Sequence, residues 1–159
     1  MSRPMDELIR TMSKKGKTRL HEVDIENLVG SGKLNASSIS QIKLAYYSAV
    51  NFQADDVFVV AAGPQNRLAV IEGWGGAIYM FKKGADGADN ALISFFAQIE
   101  DKSVFSELFI ASGDNKFISV ANDASREGIK TTVVTYRGKK SWKLRPFNEI
   151  RLGAGLQDA

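Results

Sequence analysis

The sequence predicts a three-layer α/β fold built on a mainly parallel sheet of about five strands, and three observations lead there. Strand-like and helix-like patterns alternate from residue 18 to residue 136, which implies parallel strands joined by helical crossovers. Val57 to Ala62 is an unbroken apolar run, the pattern of a strand covered on both faces. Acids stand where strands end: Asp24 in V-D-I-E-N-L, Asp86 and Asp89 in K-G-A-D-G-A-D-N-A-L, and Asp114 in F-I-A-S-G-D-N-K-F. The carboxyl ends of strands in such folds face the crevice that takes ligands.

In chain order, residues 4–12 carry Met5, Leu8, Ile9 and Met12 at helical spacing and precede a flexible S-K-K-G-K stretch, so residues 1–17 are expected to be a basic appendage. The first strand is expected over residues 18–25, with Glu22 and Asp24 on one side and His21, Val23 and Ile25 on the other. A loop over residues 30–35 leads to a helix capped by Ser37 or Ser38 and running to about Phe52, with Ile39, Ile42, Leu44, Tyr46 and Val50 at helix spacing. Asp55 and Asp56 turn into the second strand, and Pro64 suits the first turn of a helix reaching about Glu72. After Gly-Trp-Gly-Gly a third strand covers residues 77–81, and Asp86 or Asp89 opens a helix carrying Leu92, Phe95, Phe96 and Ile99. A fourth strand covers 107–111, a helix runs from Asp114 to about Glu127 with Gly128 as its stop, and a β-branched fifth strand covers 131–136. Residues 141–152 add a short strand or helix, which closes one domain over 18–152 and leaves a flexible tail over 153–159.

With 44% apolar and 25% charged residues in 159, the chain suits one domain with a real core. The absence of cysteine excludes disulfides, thiolate metal sites and cysteine nucleophiles. No apolar run approaches the roughly 18 residues that cross a bilayer, and the start M-S-R-P-M-D-E-L lacks a signal-peptide core. A cytoplasmic location with no membrane partner is therefore expected. Charge is uneven: residues 1–19 and 136–159 each hold six basic and two acidic side chains, whereas residues 20–135 hold nine basic and fourteen acidic ones. Basic ends around an acidic body suit a polyanionic ligand, and a solvated leader would give the same count.

Carboxylates converging in one crevice repel unless a divalent cation or a shared proton relieves them. Each acid alone also reads as a helix cap or turn residue, but capping explains little at the end of the first strand. Lone His21 shares the Val23 and Ile25 side and reads as structural, as does Trp74 between glycines. Trp142 stands among Arg137, Lys139, Lys140, Lys143 and Arg145, an interleaving found on surfaces for single-stranded nucleic acid and equally in a core tryptophan with a basic rim.

The motifs V-D-I-E-N-L, K-G-A-D-G-A-D-N-A-L and S-G-D-N-K-F, in this order and each after a strand, resemble the NYN branch of the PIN-like nuclease superfamily over about residues 18–136. The resemblance implies a PIN-like (Rossmann-like) fold, a Mg²⁺ or Mn²⁺ pocket and RNA cleavage. Carried over, Asp24, Asp89 and Asp114 would be catalytic, and the same three with Asp86 would be metal ligands. Asp89 fits best because D-N-A-L repeats the family's Asp with Leu three residues on, whereas Asp86 better suits a helix cap. Substrate contacts would fall to Asn27, Ser112, Asn115, Lys82, Lys83, Lys116 and Trp142. The family often places a second acid where this chain has Lys116, a departure that bears on a second metal and on turnover. The expected activity is metal-dependent endoribonuclease cleavage of single-stranded or structured RNA, the competing expectation is an inactive module that binds nucleic acid or a protein, and a homo-oligomer stays open. A phosphohydrolase of another α/β family would want D-x-D at the first strand, where this chain offers D-x-E.

Overall fold

A computed structural model of the chain describes residues 18–136 and 140–153. The appendage over 1–17, Arg137, Lys139 and the end from 154 onward lie outside the described residues. Six strands, β1 (Thr18–Asp24), β2 (Val57–Ala62), β3 (Ile78–Phe81), β4 (Phe105–Ala111), β5 (Lys130–Tyr136) and β6 (Asn148–Leu152), form one sheet in the order β3-β2-β1-β4-β5-β6. Every pairing is parallel, so the expected parallel sheet stands, with one strand more than the patterns predicted. The extra strand comes from the tail, where Thr132 to Tyr136 pair with Asn148 to Leu152.

Five helices cover the faces: α1 (Ile25–Val29), α2 (Ala36–Val50), α3 (Arg67–Gly73), α4 (Gly87–Ala97) and α5 (Ile118–Arg126). On one face, α4 and α5 press Leu92, Phe95, Phe96, Val120 and Ala124 onto Leu20, Val59, Leu108 and Ile110. On the other, α1 to α3 bring Ile25, Leu28, Ile39, Ile42, Tyr46 and Val70 onto Val23, Val60, Phe109 and Val134. These are the three layers. Each fully buried Val, Leu, Ile or Phe contributes about 1.5–3 kcal/mol of transfer free energy, so the two clusters dominate the stability.

Several boundaries differ from the sequence expectation for local reasons. The first strand ends at Asp24 because Ile25 begins α1, whose Ile25 and Leu28 are buried. Asn35, rather than Ser37 or Ser38, caps α2 by accepting the Ser38 N–H at 2.8 Å. Leu44 is 69% exposed on α2, since the stripe that packs is Ile39, Ile42, Tyr46 and Val50. The helices after Pro64 and Asp114 both begin as a tighter 3₁₀ turn, Pro64–Asn66 and Asn115–Phe117. Gly128, at φ +74°, ends the α5 segment as predicted, with the Ile129 N–H returning to the Ala124 carbonyl at 2.9 Å.

His21 is fully buried, stacked between Phe58 and Phe109 with centroids 4.3 and 4.5 Å away. Its Nδ1 is 2.8 Å from Tyr46 Oη. His21 Nε2 lies 3.1 Å from Asp56 Oδ2 but off the line an N–H bond needs, so attraction there is electrostatic rather than directed. Arg19 clasps Asp56 with two bonds of 2.9 and 2.8 Å. Trp74 is likewise fully buried, edge-on to Tyr46 and Tyr47. Among the described residues no helix is long and apolar enough to cross a membrane.

Candidate functional site

The strand order runs outward to β3 on one side and then, through α4, returns to β4 beside β1 and proceeds to β6 on the other. The order therefore reverses between β1 and β4, and a crevice opens outside their carboxyl ends, the usual ligand position in such sheets. Asp24 ends β1, and Ser112, Gly113 and Asp114 follow β4. Ser112 Oγ donates to Asp24 Oδ2 at 3.3 Å and accepts the Asp114 N–H at 3.2 Å. Asn27 Oδ1, on the first turn of α1, accepts the Gly113 N–H at 3.1 Å. One hydroxyl and one amide thus lock the two strand ends together and set the direction of both aspartates.

The third carboxyl arrives from α4. Asp89 stands in the first turn of that helix, is buried, and lies against Asp24 on one side and Asp114 on the other. Asp24, also buried, is pushed up to about 8 by burial and by Asp89, an effect that the Asn27 backbone and Ser112 only partly offset. Asp89 is raised by burial and by Asp114, with Asp24 and Lys116 pulling the other way. Buried carboxyls in contact share a proton unless a cation replaces it.

Asp86 occupies the position before α4 that the sequence predicted for a cap, but its side chain makes no capping bond. It pairs instead with Lys116 Nζ across the crevice. Asp114 does act as a cap, its Oδ1 taking the Lys116 N–H at 2.9 Å. Glu26, the second acid of the D-x-E, turns away: its Oε2 accepts from Gly63 N at 3.2 Å and from the Asn66 side chain, bracing α1 against the loop after β2.

The donor set is oxygen only, three carboxyls with a hydroxyl and an amide behind them, and this chemistry fits a hard divalent cation such as Mg²⁺ or Mn²⁺. The acids are strung as a chain through Asp89 rather than closed around one point, and among the described residues no three His, Asp or Glu side chains are spaced as a preformed metal site.

The remaining expected residues surround the crevice without joining the acids. Lys82 and Lys83, exposed after β3, line an open groove of about 360 Å³ with Gly87, Asn90, Ala91 and Ser94 of α4. Asn115 is exposed on its 3₁₀ turn. Trp142 is 70% exposed on the 3₁₀ turn Trp142–Leu144, so it is not a core tryptophan. Ser141 N donates to the Gly113 carbonyl at 2.8 Å, which fixes that turn beside the acids. Nothing in the sequence signals this bond, because it joins two backbone groups far apart in the chain. Lys140 is turned inward to Glu149 at 3.0 Å and is not part of an exposed basic rim. The sequence reading also passed over Glu22, wholly buried beneath Asp24 on the same face of β1 with neither carboxyl oxygen hydrogen-bonded; its place in the Leu20, Glu22, Asp24 alternation was the available signal.

No protein-family model, no curated protein and no solved structure matches this chain.

Proposed function

We propose that the chain is a metal-dependent endoribonuclease of the NYN branch of PIN-like nucleases, acting on RNA at the crevice between β1 and β4. The observation that carries this reading is the meeting of Asp24, Asp89 and Asp114, from three separate segments, at the point where the strand order reverses. The three carboxylates would hold Mg²⁺ or Mn²⁺, which supplies Lewis acidity toward a phosphate oxygen and a water of lowered pKa. Ser112 keeps Asp24 turned into the crevice, and Asn27 keeps Gly113 and hence Asp114 in place. Lys82 and Lys83 would neutralise the phosphates on the β3 side, and the exposed Trp142 ring offers a face for an unpaired base.

The test is cleavage of a labelled single-stranded RNA by purified protein with Mn²⁺ or Mg²⁺. Cleavage is expected, with loss in EDTA and at least a hundredfold loss in Asp24→Asn, since removing one acid of a metal site typically costs orders of magnitude. The Lys116 to Asp86 ion pair favours a second reading, an inactive nucleic-acid-binding module, because it places a lysine where the family often has an acid. Binding of the RNA without cleavage under either ion would establish that second reading instead.

A further inference from the structure

The sheet has two edges, β3 and β6, each hydrogen-bonded to one neighbouring strand. β6 is guarded: Glu149 and Arg151 pair on it at 3.2 Å, and Pro146 stands just before it, features that keep an edge from adding another strand. β3 reads Ile-Tyr-Met-Phe, with neither a charge nor a proline. The Lys82 N–H donates to the Ala62 carbonyl of β2 at 3.3 Å. By alternation Met80 also bonds toward β2, and the backbone groups of Tyr79 and Phe81 point outward. Their rings share the α3 side of the sheet, 6.1 Å apart and within 8° of parallel. α3 lies along this edge. Its Arg67 guanidinium is 5.9 Å from the Phe81 centroid, and the Trp74 carbonyl just past its end accepts the Tyr79 hydroxyl at 2.6 Å. Gly73 of α3 faces Ile39 of α2, and Ile71 lies about 200° round the helix from it, toward the open edge. Leu68, one turn earlier, is 75% exposed and Ile71 is 38% exposed.

We propose that β3 is a self-pairing edge: a second copy of this chain adds its own β3 antiparallel, across a two-fold axis at Met80, and one sheet runs through both molecules. The outward groups fix the register, because within β3 only Tyr79 and Phe81 have N–H and C=O groups to exchange. Tyr79 then stands opposite the partner's Phe81, and Phe81 opposite the partner's Tyr79, aromatic against aromatic, a cross-strand pairing that stabilises sheets. The segment is its own complement, as an isologous contact requires. Charge selects the same arrangement. Lys82 and Lys83 follow β3 directly, and antiparallel pairing sends the two lysine pairs to opposite ends of the joint, whereas a parallel copy would set them side by side. The axis is normal to the sheet, so both copies of α3 lie on one face. Ile71, between the Arg67 and Trp74 contacts, meets its counterpart near the axis, and Leu68 is covered beside it. The crevice between β1 and β4 is two strands inward and stays open. A four-residue ladder with one short helix is a small joint, so the dimer dissociates on dilution.

Sedimentation equilibrium of the full chain over a concentration series tests this without reference to metal or turnover. The native protein is expected to show a reversible monomer–dimer equilibrium. Ile71→Asp and Ile71→Lys are each expected to weaken the dimer at least about tenfold, because like charges then meet across the axis. An equimolar mixture of the two variants is expected to restore a dimer of about native strength, since opposite charges now face each other. Leu44→Asp, on the exposed face of α2, is expected to leave the equilibrium unchanged. Both substituted positions are on the surface, so circular dichroism should show every variant folded. A native protein that stays monomeric at all concentrations would overturn the inference, as would a mixture no tighter than either variant alone, or a loss in Leu44→Asp equal to that in Ile71→Asp. Monomers whose Tyr79 and Phe81 amides exchange slowly would assign the edge to another segment of the same chain and overturn it too.

Discussion

Two buried carboxyls on neighbouring strands, Glu22 on β1 and Asp56 just before β2, differ in what surrounds them. Asp56 is pushed up by burial, but His21 and Arg19 outweigh this and hold it at about 2. Glu22 stands in register with Val59 and Ile110 on the strands beside it, neither of its carboxyl oxygens is hydrogen-bonded, and burial pushes it well above its ordinary value. The signs of the linked stabilities are therefore opposite. Asp56 binds its proton less readily folded than unfolded, so its contribution is present above about 3.8 and is lost as pH falls toward 2. Glu22 binds its proton more readily when folded, so its contribution is full below about 4.5 and is lost as pH rises through its raised folded value. Asp56→Asn is expected to cost about 3 kcal/mol at pH 7, because Arg19 then keeps a buried, unpaired charge. Glu22→Met is expected to gain about 1–2 kcal/mol at pH 8 by removing an unsatisfied buried group. Denaturant melts from pH 3 to 9 check both: a Glu22→Met protein as unstable as the native one at pH 8 would mean that Glu22 has a partner after all.

Among the elements, α4 does most for the site because it carries Asp89 inward while Asp86 stays at the rim. Gly87 makes that possible, since a Cβ there would lie 2.5 Å from the Lys82 carbonyl oxygen. Gly87→Ala must push the start of α4 off the end of β3, and is expected to cost about 1–3 kcal/mol and to weaken Mn²⁺ binding as Asp89 moves. Gly32→Ala, where nothing lies within 4 Å, is the matched control; equal melts for the two variants would show that α4 shifts freely. The sequence made α4 legible through its apolar stripe, and β2 through its continuous apolar run. It hid α1, because V-D-I-E-N-L alternates like a strand and becomes helical only when Glu26 bonds Gly63 and Asn66, about forty residues on. Over residues 141–152 it left strand and helix both open, since pairing with β5 is a long-range gain that a five-residue segment does not announce. Of the site, the strand-end acids were legible from position alone, whereas the Lys116 to Asp86 pair and the Ser141 to Gly113 bond needed the fold to bring them together.

At the scale of the whole molecule the charge runs against the proposed substrate, because residues 20–135 carry five more acids than bases while each end carries four more bases than acids. A polyanion approaching the crevice would have to gain from cations flanking it, from the proposed metal, or from contacts that are not electrostatic. These contributions separate in a salt titration, because each phosphate neutralised on a single strand adds about −0.7 to the slope of log K against log salt, whereas base stacking adds nothing to that slope. Trp142, exposed on a turn tied to Gly113, belongs to the second kind, and Lys82 and Lys83 on the far side of the crevice belong to the first. Trp142→Ala is therefore expected to weaken binding of a short single-stranded RNA about tenfold, within the ~1–3 kcal/mol typical of one stacked base, by the same factor at every salt concentration. Replacing Lys82 and Lys83 by alanine is expected to flatten the slope by about 1.4, and so to weaken binding most at low salt. Fluorescence anisotropy across a salt series with Mn²⁺ present measures both. A Trp142→Ala defect that fades as salt rises would mean that the ring only positions neighbouring cations such as Lys143, 6.0 Å from its centroid, and the stacking role would have to be given up.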